Sequence, residues 1–307
     1  MRTVALLFPG QGAQKVWMGR EFSDQSPAAR AIFDRANAVL GVDLTEIIFN
    51  GPEDKLVSTA FCQPAIFTMS MAALEAFRAN DKFNKVKVGF TAGLSLGEYG
   101  ALYAAGVLSF EDTLRLIQQR GAFMDEAAKA HPGKMAAVIG FDKDKLVAIC
   151  SEAGAEVANF NAPDQIVITG RAEAVQKASA LLAAAGCRKV IPLDVAGAFH
   201  STLMRDAADK FAGVLLAAPF KVTDIKVVTN VNARPPETAD AIRGNLSRQI
   251  YSSVQWVDSI TFIASQGITD CIEIGPGRVL KGLIRKIDPA LNVLNIQAPE
   301  DIAALPF

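Results

Sequence analysis

The chain has 307 residues, with 31 Lys and Arg against 32 Asp and Glu, a formal charge of −1, and half of its residues hydrophobic. That composition is of an ordinary folded enzyme, long enough for one large domain or two of usual size, since a single core stops growing at roughly 250–300 residues. Balanced charge excludes the broad positive field that nucleic-acid binding by electrostatics requires and argues against a membrane-surface role.

Taken in order, Val4–Phe8 reads as a strand, residues 28–40 as a helix, residues 64–77 as a second helix and Val86–Thr91 as a second strand. The N-terminus carries one charge before an apolar run that Pro9-Gly10 breaks at once, a pattern that no signal peptide fits. The uncharged run Leu56–Leu74 has the length of a membrane span, but Ser58, Thr59, Gln63, Pro64, Thr68 and Ser70 interrupt it. It reads as a loop feeding a buried helix. A helix then follows Ser95 through Ala104, and another opens at Ser109, whose hydroxyl caps it ahead of Glu111 and Asp112, and ends near His131-Pro132-Gly133.

From that break to about Val195 the rhythm becomes strand 134–141, helix 143–153, strand 156–161, strand 165–170, helix 173–185 and strand 188–193. The order βαββαβ is that of a split-βαβ, ferredoxin-like unit able to close its own core. We therefore expect an α/β chain with a parallel-sheet core, in which residues 1–132 and 196–307 form a large domain and residues 133–195 an inserted subdomain. The remainder reads as helix 202–217, strand 226–229, helices 240–249 and 258–266, strand 271–274, and a Gly275-Pro276-Gly277 turn into the last helix. The basic run Arg278, Lys281, Arg285 and Lys286 on that helix is most simply a solvated face, with contact to a carrier protein or a phosphate as the second reading.

Four cysteines, Cys62, Cys150, Cys187 and Cys271, lack CxxC spacing, and the chain has only two histidines. Neither a disulfide framework nor a metal site is expected, and a reducing, cytoplasmic setting is the default. The sharpest chemical signal is Gly93-Leu94-Ser95-Leu96-Gly97 between a strand and a helix, the context of a nucleophile elbow. There the Leu96 amide would face a developing oxyanion. A turn serine that merely caps the helix is the competing reading. A serine nucleophile needs a base, and His200, before a helix start, suits the role better than His131 in its Pro-Gly loop. The helix dipole would keep His200 neutral. Its alternative is a histidine satisfied within a domain junction. Arg120 is the one cation on the apolar face Leu116, Arg120, Phe123, Ala127, with no acid at i±4. It is either a snorkelling surface arginine or a fork for a substrate carboxylate. The turn Pro9-Gly10-Gln11-Gly12-Ala13-Gln14 lies where α/β proteins bind ligands, yet it matches no nucleotide-binding loop.

Together these segments resemble the malonyl-CoA:acyl-carrier-protein transacylases of bacterial fatty acid synthesis and the acyltransferase domains of polyketide synthases. The likeness spans nearly the whole chain, through Phe8 to Gln14, Gln63-Pro64-Ala65, Gly93 to Tyr99, Arg120-Gly121, Met135 to Gly140, Asn159-Phe160-Asn161, Gly197 to Ser201, Arg248-Gln249, Val254-Gln255-Trp256 and Glu273 to Gly277. It implies a hydrolase-like α/β domain with a ferredoxin-like insert, Ser95 as the acyl-carrying nucleophile, His200 as base, and Arg120 as clamp on the malonyl carboxylate. It further implies an oxyanion hole from the Gln11 and Leu96 amides, a Gln249 main-chain carbonyl that orients the histidine, and Phe199 selecting malonyl over methylmalonyl groups. Malonyl-CoA as substrate, a holo acyl carrier protein as partner, no tightly bound cofactor and a monomeric state follow from the same resemblance. Two positions depart from the pattern. Leu94 stands where the family usually has His, and Trp17, where it usually has Gly, is expected to narrow or line the entrance.

Overall fold

Val4 to Phe8 are all buried, as a strand covered on both faces must be. In the computed structural model, which describes residues 1–307, they lie in the first of nine strands. In chain order these are β1 (Arg2–Phe8), β2 (Val86–Gly93), β3 (Lys134–Ile139), β4 (Glu156–Ala162), β5 (Gln165–Gly170), β6 (Lys189–Pro192), β7 (Lys226–Val228), β8 (Asp270–Ile274) and β9 (Asn292–Ile296). β1 is the centre of a five-stranded sheet of order β7-β2-β1-β8-β9 in which every pairing is parallel. Phe8, the last residue of β1, stands opposite Gly93, the last of β2. The turns Pro9–Gln14 and Leu94–Leu96 therefore leave the sheet side by side at its carboxyl edge, where open α/β sheets hold their ligands.

The second sheet has the order β4-β5-β3-β6 and is antiparallel throughout. It arises from one uninterrupted βαββαβ stretch, with helices Lys143–Ala153 and Ala172–Ala184 between its strands. Asp142 caps the first helix by accepting from the Lys145 amide, and Leu146, Ile166, Ile168 and Leu182 fill a core of its own beneath the sheet. A parallel bridge joins it to the rest: Val254 donates to the Ala158 carbonyl at 2.8 Å, and Phe160 donates to the Val254 carbonyl at 3.0 Å. The chain is thus α/β, with a parallel sheet of five strands and a separate antiparallel sheet.

The structure corrects three expectations. The helix expected from Pro64 spans Thr59–Arg78, with Pro64 inside it and Gln63 already helical. Proline favours the first turn because it lacks an N–H. Here burial of nearly the whole helix outweighs one missing hydrogen bond. This is the one helix long and apolar enough to cross a membrane, and most of it is buried inside the protein. The helix after Gly277, Val279–Ile287, is not the last: β9 and a short helix, Pro299–Ala303, follow it. β9 is an edge strand interrupted by Asn292 and Asn295, so its sequence lacks a strand's apolar run. Its asparagines earn their place by donating to Asp270 at 2.8 Å and Glu273 at 2.7 Å in β8. Finally, residues 20–57, in which only the helix 28–40 is expected, also hold the short helices Arg20–Gln25, Leu44–Asn50 and Glu53–Val57. The basic residues Arg278, Lys281, Arg285 and Lys286 are exposed as expected, and Lys286 pairs with Asp164 at 3.0 Å.

Candidate active site

Ser95 has φ 52°, in the left-handed region that residues with a side chain seldom occupy. The glycines on either side make the turn feasible by letting backbones touch. A Cβ on Gly93 would sit 2.0 Å from the Gly97 carbonyl, and one on Gly97 would sit 2.0 Å from the Phe8 carbonyl oxygen. Asn230 holds the turn from outside: its Oδ1 accepts from the Ser95 amide at 2.7 Å and its Nδ2 donates to the Gly93 carbonyl at 2.7 Å. The Ser95 hydroxyl is thereby lifted off the sheet edge at the start of the helix Gly97–Ala104.

Across the insert, Ser95 Oγ lies 2.8 Å from His200 Nε2, though 105 residues separate the two in sequence. His200 Nδ1 lies 2.8 Å from the Gln249 carbonyl oxygen. A carbonyl only accepts, so Nδ1 carries the proton and Nε2 is left as the acceptor for the serine hydroxyl. Burial, and then the nearby charge of Arg120, lower the His200 pKa to about 4 against small opposing contributions from the Gln249 and Ser252 backbone. The neutral histidine expected from a helix dipole therefore has another cause. Only a three-residue turn, Thr202–Met204, follows before the helix Arg205–Ala217 begins. His131 makes none of these contacts: it is half-exposed, with its Nε2 3.0 Å from Asp206.

Arg120 comes from the helix Phe110–Ala130 and is buried rather than snorkelling. One terminal nitrogen donates to Gln63 Oε1 at 2.8 Å, and the other to Gln249 Oε1 at 3.0 Å and to Ser95 Oγ at 3.2 Å. All three partners are neutral, and its Nε has no partner at all. A buried guanidinium without an ion pair, beside a hydroxyl that faces an imidazole acceptor, is suited to an anionic ligand.

Gln11, Ser95, Leu96, Arg120, Phe199 and His200 line one cavity of about 630 Å³. Neither the Gln11 nor the Leu96 amide donates a hydrogen bond within the protein. Asn159, Asn161 and Val167 of the antiparallel sheet line the same cavity, so both sheets contribute to the site. Leu94 also lines it, but Trp17 does not. Trp17 lies 59% exposed beside a separate hollow with Met69 and Gly277, its ring 4.8 Å from the Arg20 guanidinium, so the expected role at the entrance is overturned. Its φ of 79° lies in the left-handed region that favours glycine.

Three residues around the site had no assigned role in the sequence reading: Gln63, Asn230 and Glu98. Gln63 and Glu98 lie in segments that carry the family resemblance, and Glu98 is also the single charge in the helix Gly97–Ala104, one turn beyond the serine; Asn230 gave no signal.

The sequence pattern of the acyl transferase domain family matches residues 5–291. The chain belongs to that family. This acyltransferase is 42% identical to the malonyl CoA-acyl carrier protein transacylase of Bacillus subtilis (strain 168) over 98% of its own length and 96% of that protein. It is 40% identical to the protein of the same name from Escherichia coli (strain K12), over 99% of each chain. Among solved structures, the malonyl-CoA:acyl carrier protein transacylase of Xanthomonas oryzae matches with a TM-score of 0.93 at 42% identity, over 99% of this chain and 97% of that one. A malonyl-transacylase in complex with its type II PKS acyl-carrier protein matches with a TM-score of 0.94 at 37% identity, over 99% of this chain and 98% of that one.

Proposed function

We propose that the protein transfers a malonyl group from malonyl-CoA to the phosphopantetheine thiol of an acyl carrier protein, through a malonyl-Ser95 intermediate. The observation that carries this reading is the joint placement of His200 and the unpaired Arg120 fork on one serine hydroxyl. His200 Nε2 takes the Ser95 proton as Oγ attacks the thioester carbonyl. The oxyanion forms toward the Gln11 and Leu96 amides, whose protons are free to receive it. Collapse breaks the C–S bond, and the CoA sulfur leaves with the proton held by His200. The carrier's thiol then gives its proton to His200 and attacks the acyl-serine, and Ser95 regains a proton as it departs. Gln249 keeps the imidazole in the tautomer that every step needs.

Arg120 accepts the malonyl carboxylate through a charge-assisted fork, and Phe199, buried on the cavity wall, crowds the space of an α-methyl group. The strand order β4-β5-β3-β6 supports a ferredoxin-like unit at residues 133–195, inserted into a hydrolase-like domain of residues 1–132 and 196–307. We read the enzyme as a monomer without a tightly bound cofactor. Four unpaired cysteines suit a reducing cytoplasm.

The test is the intact mass of the protein after mixing with malonyl-CoA or acetyl-CoA. A malonyl adduct that Ser95→Ala abolishes is expected, with little acetyl adduct, and transfer to holo carrier protein should exceed hydrolysis. An Arg120→Ala protein that still prefers malonyl over acetyl strongly would remove the clamp from the mechanism.

A further inference from the structure

Glu98 is fully buried, on a helix with no other charge. Its Oε2 accepts from the Gln249 side-chain nitrogen at 2.8 Å and from the Asn230 amide at 3.0 Å, while Oε1 has no partner. A buried carboxylate with an oxygen left open is costly unless it answers another charge. The nearby charge is Arg120, whose own partners are all neutral and which lies beyond ion-pair reach of Glu98.

Between the two stands the amide of Gln249. Its nitrogen donates to Glu98 and, at 3.0 Å, to the Ser95 carbonyl, and its oxygen accepts from Arg120 at 3.0 Å. An ionised Glu98 and the Ser95 carbonyl only accept, and Arg120 only donates, so the amide has one satisfied orientation. Its dipole then turns its positive end to the acid and its negative end to the guanidinium.

We propose that Glu98 is a positioning residue and the internal counter-charge of the Arg120 clamp, acting through the side-chain amide of Gln249. A direct Glu98–Arg120 pair would occupy the bidentate edge that recognises a carboxylate. Held one amide away, the acid offsets the burial of Arg120 while every partner on the guanidinium stays neutral and can give way to a substrate carboxylate. The same amide also holds the Ser95 carbonyl, so clamp and nucleophile keep a fixed relation. Burial pushes the Glu98 carboxyl up to about 7, while its bonds from Gln249 and Asn230 and the charge of Arg120 hold it down, so it is ionised at mildly alkaline pH.

This inference rests on the malonyl reading, and its test separates the two. Ser95 is labelled at pH 8.5 with a neutral fluorophosphonate, and free malonate is titrated as a protecting ligand against acetate as control. Malonate that fails to protect the wild type sinks the clamp itself. With protection established, Glu98→Gln keeps the acceptor for Gln249 but removes the charge. It should tighten malonate protection at least threefold, because the field opposing the bound carboxylate is gone. Glu98→Ala frees the amide, and should weaken malonate protection about 30-fold or more, at least tenfold beyond any fall in Ser95 labelling. A folded Glu98→Ala protein that loses labelling and malonate binding together has only a structural defect, which overturns the proposal. An unchanged malonate constant in Glu98→Gln overturns it whatever becomes of the alanine variant.

Discussion

Asn230 accepts the Ser95 amide and donates to the Gly93 carbonyl, both at 2.7 Å, so one side chain clasps the strained turn on either side of Leu94. Asn230→Ala leaves a buried donor and a buried acceptor without partners. It should cost about 2–3 kcal/mol in urea unfolding and slow malonyl loading of Ser95 at least tenfold. Loading at the wild-type rate would mean that the turn holds its shape without the clasp.

The histidine makes a prediction about pH. With its native pKa near 4 and the ordinary value of 6.5 in the unfolded chain, His200 is already neutral in the enzyme at neutral pH. Ser95 acylation should therefore stay level from neutrality into the mildly acidic range and fall through a midpoint near 4. Between 6.5 and 4 the unfolded chain binds a proton here that the native protein does not, so this contribution to stability is complete above 6.5 and shrinks as the pH falls through that window. Removing the charge in Arg120→Ala should move the acid midpoint of fluorophosphonate labelling upward by about one pH unit. A limb that stays in place would leave burial as the sole cause.

At position 17 the usual ranking of alanine and glycine should invert. Trp17 holds φ 79° with most of its surface in water, so a Cβ there is strained and contributes little packing. Trp17→Gly should be about 1 kcal/mol more stable than Trp17→Ala by urea unfolding. Both should load malonyl groups within twofold of the wild type, because the ring lies outside the cavity of Ser95.

Gly97 tolerates nothing larger. Its ideal Cβ would lie 2.0 Å from the Phe8 carbonyl oxygen, a backbone atom of the central strand that cannot move aside. Gly97→Ala should cost more than about 3 kcal/mol, or yield insoluble protein, and a variant with wild-type melting would show that the two backbones can separate.

Much of this architecture is legible in the chain. The six alternating elements between Lys134 and Pro192 lie within a few residues of their expected ends, because caps such as Asp142 and breaks such as Gly154 mark them locally. Pro64 misled, because tertiary burial can override a local preference. β9 stayed hidden because hydrogen bonds from Asn292 and Asn295 to acids in β8 replace the apolar pattern that would betray a strand. Within the site, residues whose type carries a reactive or charged group could be proposed one by one. The amide-bearing residues Gln63 and Asn230 could not, because an amide acquires its meaning from what it touches. The 2.8 Å meeting of Ser95 and His200 is likewise a product of the fold alone.

The bridge between β4 and Val254 has a consequence outside chemistry. β4 is an edge strand, and an open edge is a template on which another chain can add. Here Ala158 and Phe160 spend their outward hydrogen bonds on Val254, and the opposite edge, β6, is only four residues long, begins with Lys189 and ends in Pro192. The antiparallel sheet thus presents no long free border, so a newly made chain that has closed this bridge is guarded against strand-by-strand aggregation with its neighbours.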